Sequence, residues 1–356
     1  MLSRGQRLRS AVKWIPMKAS LANKSFRLWG GTALSVVCLI LAFKGIRLSE
    51  IWKVLAQTNY GLIVLAFSTI IATALAQTVR WRLLFYPRHH QPRYSKLLAA
   101  LLIGQMVNIV IPSRLGELAR AYFLWEIEGE KRIALTLSTI AIEKLADMGM
   151  LFLLTITLLP FTSLPSPPQK PVIASITAAA LLVALVVTLQ KDGLLVISKH
   201  VLKFLPESAQ AHIAHQIGLM LDGLKVLRCW RVNLQLLGWS VLIWLLAALT
   251  NYITFLALGL DLPFLAAILL LIVLHIGVAA PSSPGKIGVF HYLCIFALSA
   301  FSVGKELALS YSMILYVIVF LPPCISGAFF LWHESVNLRK LGQAAAKAKV
   351  LSGGPL

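Results

Sequence analysis

Two clusters of ionisable residues sit in otherwise apolar sequence, where one charge costs about 2.5 to 3.5 kcal/mol to insert into hydrocarbon. Such groups should be paired, face water or serve a function. The first cluster is Arg114, Glu117 and Arg120, spaced by three and therefore neighbours on a helical face. Ser113 precedes it in a Pro-Ser break. An excess cation beside a newly started helix, whose first amides point outward, suits a phosphate group. Simple internal pairing of Glu117 with one arginine is the other reading.

The second cluster is Glu143, Lys144 and Asp147, with its two carboxylates four residues apart on one face. They repel unless a cation lies between them. Arg114 or Arg120 could supply it and close a buried network. Alternatively, the carboxylates hold a proton or cation coupled to transport, or serve as acid–base groups.

Further along, Ser283 before Pro284 reads as a helix N-cap followed by its first residue. Gly285, Lys286 and Ile287 would then open a helix whose amides point into the membrane, with Lys286 adding a cation. His275 and His291 flank this stretch, and their spacing of sixteen fits no metal-ligand pattern. They read as proton relays or as histidines satisfied by backbone groups. Arg80-Trp81-Arg82 reads as an interfacial anchor that fixes helix depth. No Walker loop, H-E-x-x-H or G-x-S-x-G is present, so no cofactor, no metal, no catalytic residue and no direct ATP-driven step is expected.

The elements that hold these residues follow from hydropathy. With 356 residues, 58% apolar and 13% charged, the chain carries more hydrophobic surface than a soluble core needs. Six blocks are long enough to cross the bilayer as helices: 28–43, 61–79, 133–159, 172–189, 234–258 and 307–331. They are apolar on every face, which excludes the alternating strands of a porin. The first follows a basic leader without a small-x-small cleavage site and reads as an uncleaved signal anchor. Cysteines 38, 229, 294 and 324 are scattered and suggest no disulfide framework.

Two further stretches, 97–111 and 265–280, are too short to cross and run into Pro and Gly, the mark of re-entrant hairpins. Their breaks share P-S-x-x-G, from Pro112 and from Pro281, 169 residues apart. Shifting 61, 97 and 133 by that interval gives 230, 266 and 302, close to the second set of blocks. The chain therefore divides into repeat 1, residues 61–159, and repeat 2, residues 234–332.

The net charge of +20 is distributed as topology rather than as a nucleic-acid footprint. Basic residues concentrate in the leader 1–27, after the second block, in 191–233 and in the tail 333–356, which places both termini in the cytoplasm. On that orientation the hairpins enter from opposite sides, as in many secondary transporters. The predicted fold is an all-α polytopic inner-membrane protein with six full transmembrane helices and two re-entrant helical hairpins in an inverted repeat. Within 191–233, Ile213, Ile217, Met220, Leu224 and Leu227 recur at helical spacing. That pattern fits a helix on the membrane surface or a connector packed on the inner face. Residues 160–171 read as a linker.

These motifs carry a resemblance. Asn108-x-x-x-Pro112-Ser113-Arg114-x-Gly116-Glu117-x-x-Arg120, Glu143-Lys144-x-x-Asp147 and Pro284-Gly285-x-Ile287-Gly288-Val289-Phe290 resemble the flippase-like family typified by the transmembrane domain of lysylphosphatidylglycerol synthases. The resemblance implies movement of lipids between leaflets, aminoacylated phosphatidylglycerol in the synthases. It covers nearly the whole chain, with two departures. The sequence ends at Leu356 without the soluble aminoacyl-transferring domain, and it has Lys286 and His291 where many relatives have Gly and Glu.

The expected function is a lipid translocator whose headgroup site draws on Ser113, Arg114, Glu117, Arg120, Glu143, Asp147, Ser283, Lys286 and His291. Its expected partners are membrane lipids with anionic headgroups, and a homo-oligomer or lipid-synthesis enzymes beyond them. The alternatives are a membrane-embedded enzyme or accessory subunit of lipid or polyprenyl-linked glycan synthesis, using Glu143 and Asp147, or a lipid-binding scaffold without transport.

Overall fold

The structure, a computed structural model, describes residues 35–42, 48–85, 91–111, 115–128, 133–158, 229–278 and 283–333. Among these there is no strand. Half of the block at 28–43 is described, as residues 35–42, whereas the block at 172–189, the linker 160–171, the surface segment, the leader and the tail fall wholly or largely outside the described residues.

A short helix α1 (Leu48–Gln57) precedes two matching series. The first runs α2 (Tyr60–Leu83), α3 (Tyr94–Val110), α4 (Gly116–Glu128) and α5 (Ile133–Leu158). The second runs α6 (Trp230–Ala257), α7 (Phe264–Gly277), α8 (Val289–Ser299) and α9 (Lys305–His333). Each is long, short, short, long, with its break between the two short helices.

Three helices, α2, α6 and α9, are long and apolar enough to cross a membrane. α2, the shortest of them at 24 residues, extends roughly 36 Å at about 1.5 Å per residue. α5 matches them in length at 26 residues but carries Glu143, Lys144 and Asp147 near its middle. α3 and α7, with 17 and 14 residues, are too short to cross unaided, as their lengths in the sequence required.

Hydroxyls within the long helices are satisfied internally. Thr73 Oγ1 donates to Thr69 O at 2.7 Å and Thr78 Oγ1 to Ala74 O at 2.8 Å, so these donors are satisfied within their own helix. Asn59 caps α2 by accepting from the amides of Gly61 and Leu62. Outer faces carry apolar side chains: Val64, Leu234, Leu237, Leu245 and Phe329 are all exposed and away from the cavity described below.

α2 and α6 pack antiparallel along their length. The Asn59 amide donates to Ala257 O at 2.8 Å, Thr69 and Thr250 share a hydroxyl bond of 2.7 Å, and Arg80 donates to Ser240 Oγ at 3.0 Å. Around this pair the series interleave, α3 against α9 and α7 against α5. Small residues permit the close approaches. A Cβ on Gly327 of α9 would meet the Leu102 carbonyl of α3, and one on Gly104 of α3 would meet the Gly116 carbonyl and the Arg120 stem of α4. Two main cores result, one around Trp81, Leu101 and Phe123 and one around Phe255, Phe290 and Leu298.

The second break departs from the sequence reading. Ser283 makes no side-chain cap bond to the following amides, and its hydroxyl donates to Ile287 O at 3.2 Å. Pro284–Lys286 forms a single 3-10 turn, and Gly285, Lys286 and Gly288 have φ of 70°, 59° and 88°. These left-handed torsions reset the chain direction, so α8 begins only at Val289. Gly288 also packs on the Ser35 carbonyl, where a Cβ has no room.

Candidate functional site

The charged clusters meet where α2, α4, α5 and α6 converge. Arg120 of α4 donates through Nη1 and Nη2 to the two oxygens of Glu143 on α5, at 3.2 and 2.8 Å. This fork-on-fork geometry matches a guanidinium to a carboxylate. The face of the guanidinium is covered as well, its Cζ lying 3.9 Å from the ring centroid of Trp81. Trp81 is fixed in turn by donating Nε1–H to Thr139 Oγ1 at 3.0 Å.

Asp147 takes its cation from a residue that the sequence reading had placed at the membrane interface. Arg80, 1% exposed, donates to Asp147 Oδ1 at 2.7 Å and lies 3.8 Å from Glu143. It is therefore a buried hub rather than a depth anchor. Its neighbour Arg82, exposed, fits the anchoring role. Arg80, Arg120, Glu143 and Asp147 balance to zero, which is how four charges persist where solvation is poor. The remaining guanidinium N–H groups, Arg80 Nε and Nη2 and Arg120 Nε, have no hydrogen-bond partner among the described residues.

Next to this network the helices line a half-open cavity of about 1110 Å³. Its wall is mostly apolar, from α2, α3, α6, α7 and α9, and both series bring polar groups to it. Glu117, Asn108 and Lys144 come from the first series, and His275 and Lys286 from the second. Glu117 Oε1 lies 3.6 Å from Lys144 Nζ and accepts from Asn108 Nδ2 at 3.3 Å. Asn108 Oδ1 accepts the Gly116 amide at 2.8 Å, so one side chain ties the end of α3 to the first turn of α4. In the second hairpin, Tyr316 of α9 reaches back to donate to the Gly285 carbonyl at 2.9 Å. Gln77 and Gln105 face the cavity as an amide pair at 2.9 Å.

Of the residues nominated from sequence, Glu117 and Lys286 line the cavity, whereas Arg120, Glu143 and Asp147 join Arg80 in the neutral network behind it. His291 is buried against Ser312 Oγ at 3.0 Å and does not line the cavity. His275 does, with Nδ1 donating to Leu271 O at 2.9 Å. Ser283 is joined to the 35–42 helix, its amide donating to Ser35 Oγ. Ser113 and Arg114 lie outside the described residues. Sequence reasoning gave Arg80 the role of an interfacial anchor, named Asn108 only within the family motif, and did not name Gln77 or Gln105. The one available signal was the presence of polar residues in runs otherwise too apolar to need them.

The described cavity wall thus presents two lysines and one glutamate among apolar side chains. Arranged in this way, it can hold a polar, charged group while an attached apolar chain stays among the helices.

Two curated relatives, both from Methanocaldococcus jannaschii, match this chain along most of their own length. The UPF0104 membrane protein MJ1595 is 23% identical over 310 residues, covering 82% of this chain and 89% of that protein. The UPF0104 membrane protein MJ1078 is 26% identical over 235 residues, covering 66% of this chain and 96% of that protein. The lysylphosphatidylglycerol synthase TM region matches residues 28–327, which span both hairpins, the ionic network and the cavity. The chain is an integral membrane protein of the lysylphosphatidylglycerol synthase TM-region family.

Proposed function

We propose that the protein is a lipid translocator that moves an anionic or phosphate-bearing lipid between the leaflets of the inner membrane. The observation that carries this reading is the cavity of about 1110 Å³, which draws cations from both series, Lys144 from one and Lys286 from the other. A headgroup held there leaves its acyl or prenyl chains among apolar helices.

The two series support an inverted repeat with two re-entrant hairpins and six crossings. Equivalent long helices, α2 and α6, run antiparallel, and each hairpin leans on the last helix of the other series. Helices that end inside a membrane, with glycine-rich breaks lining a cavity, are the usual setting for binding sites in transporters built this way. The excess of basic residues in 1–27 and 333–356 supports a cytoplasmic position for both termini.

Glu143 and Asp147 already face guanidinium groups, which favours a supporting role over acid–base chemistry. Leaflet exchange of labelled anionic lipids in proteoliposomes tests the proposal. Wild-type protein should accelerate exchange above protein-free vesicles, and Glu117→Ala should slow it. Wild-type rates equal to those of empty vesicles across a broad lipid panel would overturn the reading.

A further inference from the structure

The charges on the cavity wall, taken together, narrow the class of headgroup. Among the described residues, formal charge on the wall comes from Lys144, Lys286 and Glu117, a surplus of one positive charge with histidine counted as neutral. The four charges behind the wall cancel, since Arg120 closes on Glu143 and Arg80 on Asp147. Glu117 is engaged from two sides, by Lys144 at 3.6 Å and by Asn108 at 3.3 Å. An incoming ammonium group would have to compete with both, on a wall that also carries Lys286.

The other polar groups that the described residues bring to the wall are neutral, with histidine counted so. When Gln105 Nε2 donates to Gln77 Oε1, the outer ends of the pair are one amide oxygen and one amide NH₂. An acceptor and a donor side by side are what a hydroxyl, itself both donor and acceptor, requires. Thr73, Thr250 and Ser326 extend the same chemistry along the wall.

We propose that the cavity selects phosphodiester lipids whose headgroup is uncharged and hydroxyl-bearing, with one net negative charge, over zwitterionic and cationic lipids. The phosphate balances the surplus lysine charge, and the amides and hydroxyls take the headgroup hydroxyls. This rests on the translocator reading and names its substrate class, a class opposite in charge to a lysyl-bearing lipid.

The test uses the full-length protein and three probes, phosphatidylglycerol, phosphatidylcholine and lysylphosphatidylglycerol. Competitive binding is followed by native mass spectrometry and leaflet exchange in proteoliposomes. Wild type should prefer phosphatidylglycerol by at least about tenfold over each of the others, the scale of one charge-assisted contact. Lys286→Glu turns the surplus positive charge into a surplus negative one and should abolish that preference, with Lys286→Gln intermediate. Equal binding of the three probes by wild type, or a preference for lysylphosphatidylglycerol, would overturn the inference whether or not exchange occurs. Selective binding without any exchange would uphold the headgroup class and overturn translocation.

Discussion

Arg120 and Glu143 are joined by two parallel hydrogen bonds of 3.2 and 2.8 Å, with both side chains almost wholly buried. The pair fastens the second arm of the first hairpin to the following long helix. Its value lies less in net attraction than in the cost of breaking it, because removing one partner strands a buried charge.

Arg120→Met and Glu143→Met alone should each destabilise the protein by about 3 to 5 kcal/mol, and the double substitution by much less than their sum. Thermal unfolding in detergent, followed by size-exclusion recovery, measures this. Additive losses would show that the pair is not coupled.

Arg80 and Arg82, two residues apart, should differ sharply. Arg80→Leu leaves Asp147 and the Glu143 side of the network short of a cation and should cost several kcal/mol. Arg82 is exposed, and Arg82→Leu should change stability by less than about 0.5 kcal/mol. Equal melting temperatures for the two variants would contradict the hub role given to Arg80.

Two glycines give a second contrast. A Cβ at Gly104 meets the Gly116 carbonyl and the Arg120 side chain, whereas at Gly149 it meets nothing within 4 Å. Gly104→Ala should therefore lower the melting temperature by forcing the arms of the hairpin apart. Gly149→Ala, inside α5, should stabilise by about 0.5 to 1 kcal/mol through helix propensity. Stabilisation by both would mean that the arms are not closely packed.

The two short apolar helices and the breaks after them were legible because length and composition conflict there. α3 and α7 are apolar but too short, and each ends at a Pro and Gly break. The pairing of Arg120 with Glu143 was also foreseeable, as two opposite charges in apolar sequence need each other. Arg80 was not, because Trp81 and Arg82 beside it form an interfacial pattern and its partner Asp147 is 67 residues away. Sequence spacing on one helix says nothing about which distant helix comes alongside.

The Ser283 cap failed for a local reason. Serine before proline does favour a helix start, but the left-handed torsions at Gly285 and Gly288 turn the chain first. The Gln77–Gln105 amide pair joins two helices 28 residues apart and has no motif to announce it.

Leaflet exchange with the cavity filled is the most direct measurement of the central claim. Ala74 lines the cavity, and Val64, on the same helix, is 66% exposed on the outer face. In proteoliposomes carrying fluorescent phosphatidylglycerol, wild type and Val64→Trp should exchange lipid well above empty vesicles, and Ala74→Trp should fall to the empty-vesicle rate while remaining monodisperse. Exchange by Ala74→Trp at the wild-type rate would contradict passage of the headgroup through this cavity.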